Sequence, residues 1–78
     1  MVNRQTLTAN TETNFIFDNN GSEFIVKNFT TGYIYVCPDT YTEAKAYKIP
    51  SMTAQKIKAR TNKMVVKASS AGEVEIDA

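Results

Sequence analysis

From residue 14 onward, apolar and polar positions alternate in short runs that are separated by turn residues. Asn14-Phe15-Ile16-Phe17 leads through Asp18-Asn19-Asn20-Gly21-Ser22 into Glu23-Phe24-Ile25-Val26-Lys27. Asn20-Gly21 between two aromatic and β-branched runs predicts a hairpin, because Gly21 takes φ > 0 without steric cost and Asn20 tolerates it. Asn28-Phe29-Thr30-Thr31-Gly32 predicts the next turn and Tyr33 to Cys37 the next strand. Pro38-Asp39-Thr40 opens a polar loop to about Glu43, and Ala44 to Ile49 alternates small or apolar residues with lysines before Pro50-Ser51. Met64-Val65-Val66-Lys67 is strand-forming, and in Glu73-Val74-Glu75-Ile76-Asp77 the strict alternation puts Val74 and Ile76 on one face and three acids on the other.

Met52 to Asn62 reads two ways. With period two, Gln55, Ile57 and Ala59 face inward while Lys56, Lys58 and Arg60 face outward. With a helical period, Ser51 could cap a run of good helix formers, but the apolar stripe would be thin. The strand is the better reading. Runs at about ten-residue spacing predict an all-β fold: a small single-domain sandwich or jelly-roll-like barrel of roughly six to seven short antiparallel strands. Residues 1–13 offer only Val2, Leu7 and Ala9 to bury. They read as a flexible polar N-terminal arm, or as an edge strand formed late or on a partner, before a single β domain over 14–78.

Composition changes the picture mainly by exclusion. The 78 residues contain no His and one Cys. That removes an imidazole base, a His metal site, a Ser-His or Cys-His pair, an internal disulfide and a thiolate metal cage. No Gly-rich phosphate loop or nucleophile elbow is present. We expect no enzyme, with no catalytic, metal or cofactor-binding residues. Cys37, after an apolar run, reads as a reduced, half-buried thiol. No run approaches the ~20 apolar residues of a membrane span, and the N-terminal residues have no apolar signal core, so synthesis in a cytoplasm without secretion is expected.

Charge is unevenly distributed. Residues 44–67 carry seven cations and no acid, whereas residues 1–43 carry two cations against five acids and residues 68–78 carry three acids alone. Lys56, Lys58 and Arg60 form an outward row that could follow a phosphate backbone beside a stacking Tyr47. Solvation or neutralisation by the acids is the stronger reading; were the C-terminal strand to lie beside this row, its three acids would cancel it. Tyr33 and Tyr35 share one strand face and could make a glycan or protein platform, or simply close the core edge. The possible interaction surface is thus Tyr33, Tyr35, Tyr47, Lys56, Lys58 and Arg60. A domain this small also gains by sharing surface with copies of itself.

Three segments carry a resemblance: residues 24–36 (FIVKNFTTGYIYV), Ala46-Tyr47-Lys48-Ile49-Pro50-Ser51-Met52-Thr53-Ala54-Gln55, and Val65-Val66-Lys67-Ala68 with Gly72-Glu73-Val74-Glu75-Ile76. Over roughly residues 23–77 they resemble small virion proteins of tailed bacteriophages and prophages. In those, a strand ending in Asn precedes a small turn, an Ile/Val-Tyr-Val strand and a final hairpin. The resemblance implies a non-enzymatic structural part of a virion: a capsid decoration protein, a head-fibre base or a tail accessory subunit. Its partners would be other virion proteins and copies of itself, without membrane or nucleic acid. The alternative is a small barrel that binds single-stranded nucleic acid or glycan.

Overall fold

The computed structural model describes residues 1–78 and is all-β. Six strands, β1 (Val2–Leu7), β2 (Glu12–Asn28), β3 (Ile34–Pro38), β4 (Tyr47–Ile49), β5 (Ala54–Ala68) and β6 (Gly72–Asp77), form one antiparallel sheet in the order β1-β6-β2-β5-β3-β4. A single 3-10 turn, Glu43–Lys45, precedes β4.

The sheet folds over on itself because β2 and β5 are long enough to cross it. Residues 23–27 of β2 pair with 54–58 of β5, and residues 12–16 of β2 pair with 63–67 of β5, with register shifts between the two stretches. β6 adds to the second half of β2 and β1 to β6, which gives layer one. β3 adds to the second half of β5 and β4 to β3, which gives layer two. Fourteen apolar side chains, Phe15, Phe24, Leu7, Ile34, Ile57 and Met64 among them, fill the space between the layers.

The expected hairpin at Asn20-Gly21 does not form; this pair sits in the bend of a continuous β2. Extra residues on one strand unpair the ladder locally and let the strand turn a corner. Gly21 suits that corner because the Phe24 ring lies where a side chain would be: a Cβ would come within 3.0 Å of the ring. The two runs read as separate strands at Met52–Asn62 and Met64–Lys67 likewise merge into β5, with Gln55, Ile57 and Ala59 on the inner side as expected. Residues 50–53 form a tight turn rather than a helix start, with Met52 at φ 58°.

The first thirteen residues are not a free arm. β1 pairs with β6 from Val2↔Asp77 to Leu7↔Gly72, and Leu7 is buried. Where β1 meets the first half of β2, side chains take the place of a ladder. Asn3 Nδ2 donates to the Ile16 carbonyl at 3.3 Å, and Gln5 Nε2 donates to the Asn14 carbonyl at 2.9 Å. The polar residues that made this segment look unfolded are the ones that close that flank.

The turn after β2 is organised by Asn28. Its Nδ2 lies 2.9–3.0 Å from the carbonyls of Gly32, Ile49 and Pro50, and its Oδ1 accepts from the Thr30 N–H and hydroxyl. One buried amide thereby ties the turn after β2 to the end of β4. Buried polar groups that are fully bonded in this way specify one arrangement of loops.

Candidate functional site

The outward side chains of layer one form a grid set by strand register. Val2, Asp77 and Ile25 stand in one row, and Arg4, Glu75 and Lys27 in the next. Lys56 stands opposite Ile25 and Ala54 opposite Lys27. The ion pairs are continuous: Arg4 bonds Glu73 and Glu75, and Lys27 bonds Glu75 and Asp77 at 3.2 and 3.1 Å. The hydrogen bond to Glu73, with the nearby charges of Glu73 and Glu75, raises the Arg4 pKa. Hydrogen bonds to Asp77 and Glu75 raise that of Lys27. The Arg4 guanidinium also lies 4.8 Å from the centre of the Phe29 ring.

This corrects one expectation. The three acids do not neutralise Lys56, Lys58 and Arg60, because β2 separates β6 from β5; Arg4 and Lys27 take them instead. The basic row keeps a single acid, Glu23, at 4.0 Å from Lys56.

Apolar side chains flank this ion-pair cluster. Val2 and Ile25 are 62% and 39% exposed on either side of Asp77. At the other end, Phe29, Met52 and Ala54 line an open depression of about 210 Å3 with Lys27, Asn28 and Thr53. Met52 is 66% exposed. Its left-handed backbone costs roughly 1–2 kcal/mol in a residue other than glycine.

Layer two presents different chemistry. Tyr35 stands between Lys48 and Lys67 in register. Lys48 Nζ lies 4.3 Å from the centre of the Tyr33 ring and Lys67 Nζ 5.7 Å from that of Tyr41. None of these lysines is in an ion pair, nor is Lys63. Beside them, Cys37 and Val65 point outward as neighbours yet are buried, because the segment after β3 turns back over them. The Cys37 thiol donates to the Thr42 carbonyl at 3.3 Å, and the Asp39 N–H bonds the Lys63 carbonyl at 2.8 Å. Cys37 is thus free and fully buried. Burial, then the charge of Glu43, raises the Tyr41 pKa; its hydroxyl is shut off from solvent without a hydrogen-bond partner.

The six residues expected to form one surface divide into three groups. Tyr33 and Tyr35 belong to the outer face of layer two, and Lys56, Lys58 and Arg60 to the outer face of layer one. Tyr47 pairs with the inward Val36 and stands half-exposed at the rim of the flank where β4 and β5 end their layers. Ile25, Phe29 and Met52 were missed. For Ile25 the signal was present: with Phe24 and Val26 inward, alternation leaves it outward. For Met52 there was none, since only the turn geometry exposes it.

No group of three or more metal-ligating side chains comes together, and no helix is long and apolar enough to cross a membrane. Comparison with known family models, curated proteins and solved structures finds no match to the chain.

Proposed function

We propose that the chain is a non-enzymatic structural subunit of a tailed-phage particle, of the capsid-decoration or head-accessory kind, that works by protein–protein assembly. The observation that carries this reading is the outer face of layer one. Large apolar side chains stand in water at both ends of a fixed ion-pair cluster, and exposed apolar groups around a polar centre on a rigid sheet suit a contact with another protein. Met52 adds to it, since a strained turn holds that side chain out rather than in. The sequence resemblance supplies the particle; the face supplies the mode of action.

The direct experiment is mass spectrometry of density-purified particles from a culture that expresses the gene. The chain should appear in stoichiometric copies. Its absence from particles produced while the free protein is abundant would sink the reading. In particles that contain it, Ile25→Lys with Met52→Lys should reduce incorporation at least about tenfold with the fold intact, because both side chains are exposed.

A second reading draws on layer two. Lysines set over and between tyrosines suit the phosphates and bases of a single-stranded nucleic acid. Binding to a fluorescent oligonucleotide that weakens steeply with salt and is lost in Lys48→Gln with Lys67→Gln would favour it.

A further inference from the structure

Along residues 54–58, β5 pairs with β2 on one side only, and Ala59 and Arg60 continue the strand through a register shift. No other backbone hydrogen bond of the fold involves these residues. On the opposite flank, Asn3 and Gln5 close the gap between the layers, so the two flanks of the sandwich are unlike. An open edge of this length is a template for an added strand, since half of its N–H and C=O groups face outward without a ladder partner. Ala54, Lys56, Lys58 and Arg60 along it are exposed on the outer side.

We propose that this edge receives an extended segment of another protein with acidic residues at alternate positions, which joins layer one as a fifth strand beside β5. Charge decides the occupant. In a ladder, the outward side chains of the added strand stand directly opposite Lys56, Lys58 and Arg60, and opposite charges there are favourable. A second copy of this chain is disfavoured at the same place. Antiparallel pairing of two copies about Lys58 would put Lys56 opposite Arg60 and the two Lys58 side chains opposite each other, a row of like charges. The chain's own acids do not compete. Glu73, Glu75 and Asp77 are held by Arg4 and Lys27 across β1 and β2, and Glu23 meets only Lys56, at 4.0 Å. The segment's inner side chains would cover Gln55 and Ala59, which are half-buried, so small or β-branched residues fit there.

The inference rests on the assembly reading for its class of partner, and its test is independent of any particle. The probe is a capped nonapeptide of alternating Glu and Val, titrated into the isotope-labelled full chain. Controls are the alternating Lys and Val peptide and a peptide of the acidic composition with its glutamates in one block. The expected result is saturable shifts confined to residues 54–60 and their β2 neighbours. Every second amide of 54–60 should gain protection from hydrogen exchange. The block and Lys peptides should bind at least about tenfold more weakly, and raising salt from about 50 to 500 mM should weaken the acidic peptide severalfold. Lys56→Gln, Lys58→Gln and Arg60→Gln together, all at exposed positions, should cost about tenfold in affinity with the unfolding midpoint kept.

No saturable binding, equal binding of all three peptides, or protection that maps to layer two would overturn the proposal. So would an edge that binds the acidic peptide equally well after the triple substitution. Peptide binding by a chain absent from particles would uphold the edge and remove the particle; a chain in particles whose edge ignores the peptide would do the reverse.

Discussion

The two outer faces of this sandwich are built from the same strand pair, yet they are organised differently. On layer one, Arg4 and Lys27 satisfy Glu73, Glu75 and Asp77 in a closed cluster, Lys58 and Arg60 have no acid partner, and Val2, Ile25, Phe29 and Met52 remain in water. On layer two, Lys48, Lys63 and Lys67 have no acid partner, the segment after β3 covers Val65 and Cys37, and Ile16 and Tyr33 stay exposed. A closed ion-pair cluster orders the first face, and a covering segment orders the second.

The sharpest way to break this comparison is to place the same polar side chain on each face. Val65→Thr puts a hydroxyl under the covering segment and should cost about 2 kcal/mol in urea unfolding, whereas Ile25→Thr should cost under about 1 kcal/mol. Equal costs would mean that the covering segment seals nothing. A smaller effect separates the charges. Glu75→Gln removes the acid shared by Arg4 and Lys27, and should lower Tm by a few degrees at low salt, with the difference shrinking near about 0.5 M salt. A difference that salt leaves unchanged would assign the loss to packing.

The alkaline limb of stability offers a finer test. Tyr41 and Lys27 both have pKa values raised in the folded state. For each, the unfolded chain gives up its proton first, so stability is fully present below the ordinary value and falls as pH rises from there through the folded one. Thermal unfolding should therefore shift to lower temperature above about pH 10, the ordinary tyrosine value. Tyr41→Phe should remove part of that fall. Because the hydroxyl is buried without a partner, the variant should be as stable as the parent at pH 7, or more stable by up to about 1 kcal/mol. A clear loss at pH 7 would show that the hydroxyl is bonded after all.

What the sequence revealed divides along a physical line. Alternation exposed β6 and the inner side of β5, because period two depends on neighbours in the chain. It misread Asn20-Gly21, since the glycine serves there to make room for the Phe24 ring at a bulged corner rather than to take φ > 0. It left β1 undecided between a free arm and an edge strand, because its strand character comes from β6, some 70 residues away, and from Asn3 and Gln5 acting as hydrogen-bond donors across a gap. The candidate surface fared the same way. Lys56, Lys58 and Arg60 are adjacent along one strand and were seen as a row, while Lys48 over Tyr33 and Arg4 over Phe29 join residues from distant segments.

The pairing of β1 with β6 also sets a timetable. Arg4 and Glu75 are 71 positions apart, which at about 5–20 residues per second is roughly 4–14 s of synthesis. Throughout that interval β1 has no strand to pair with, and the seam with β2 lacks the strand that closes it. Layer two, from β2 through β5, is complete earlier and can order first. Layer one is assembled last, and with it the ion-pair cluster on its outer face.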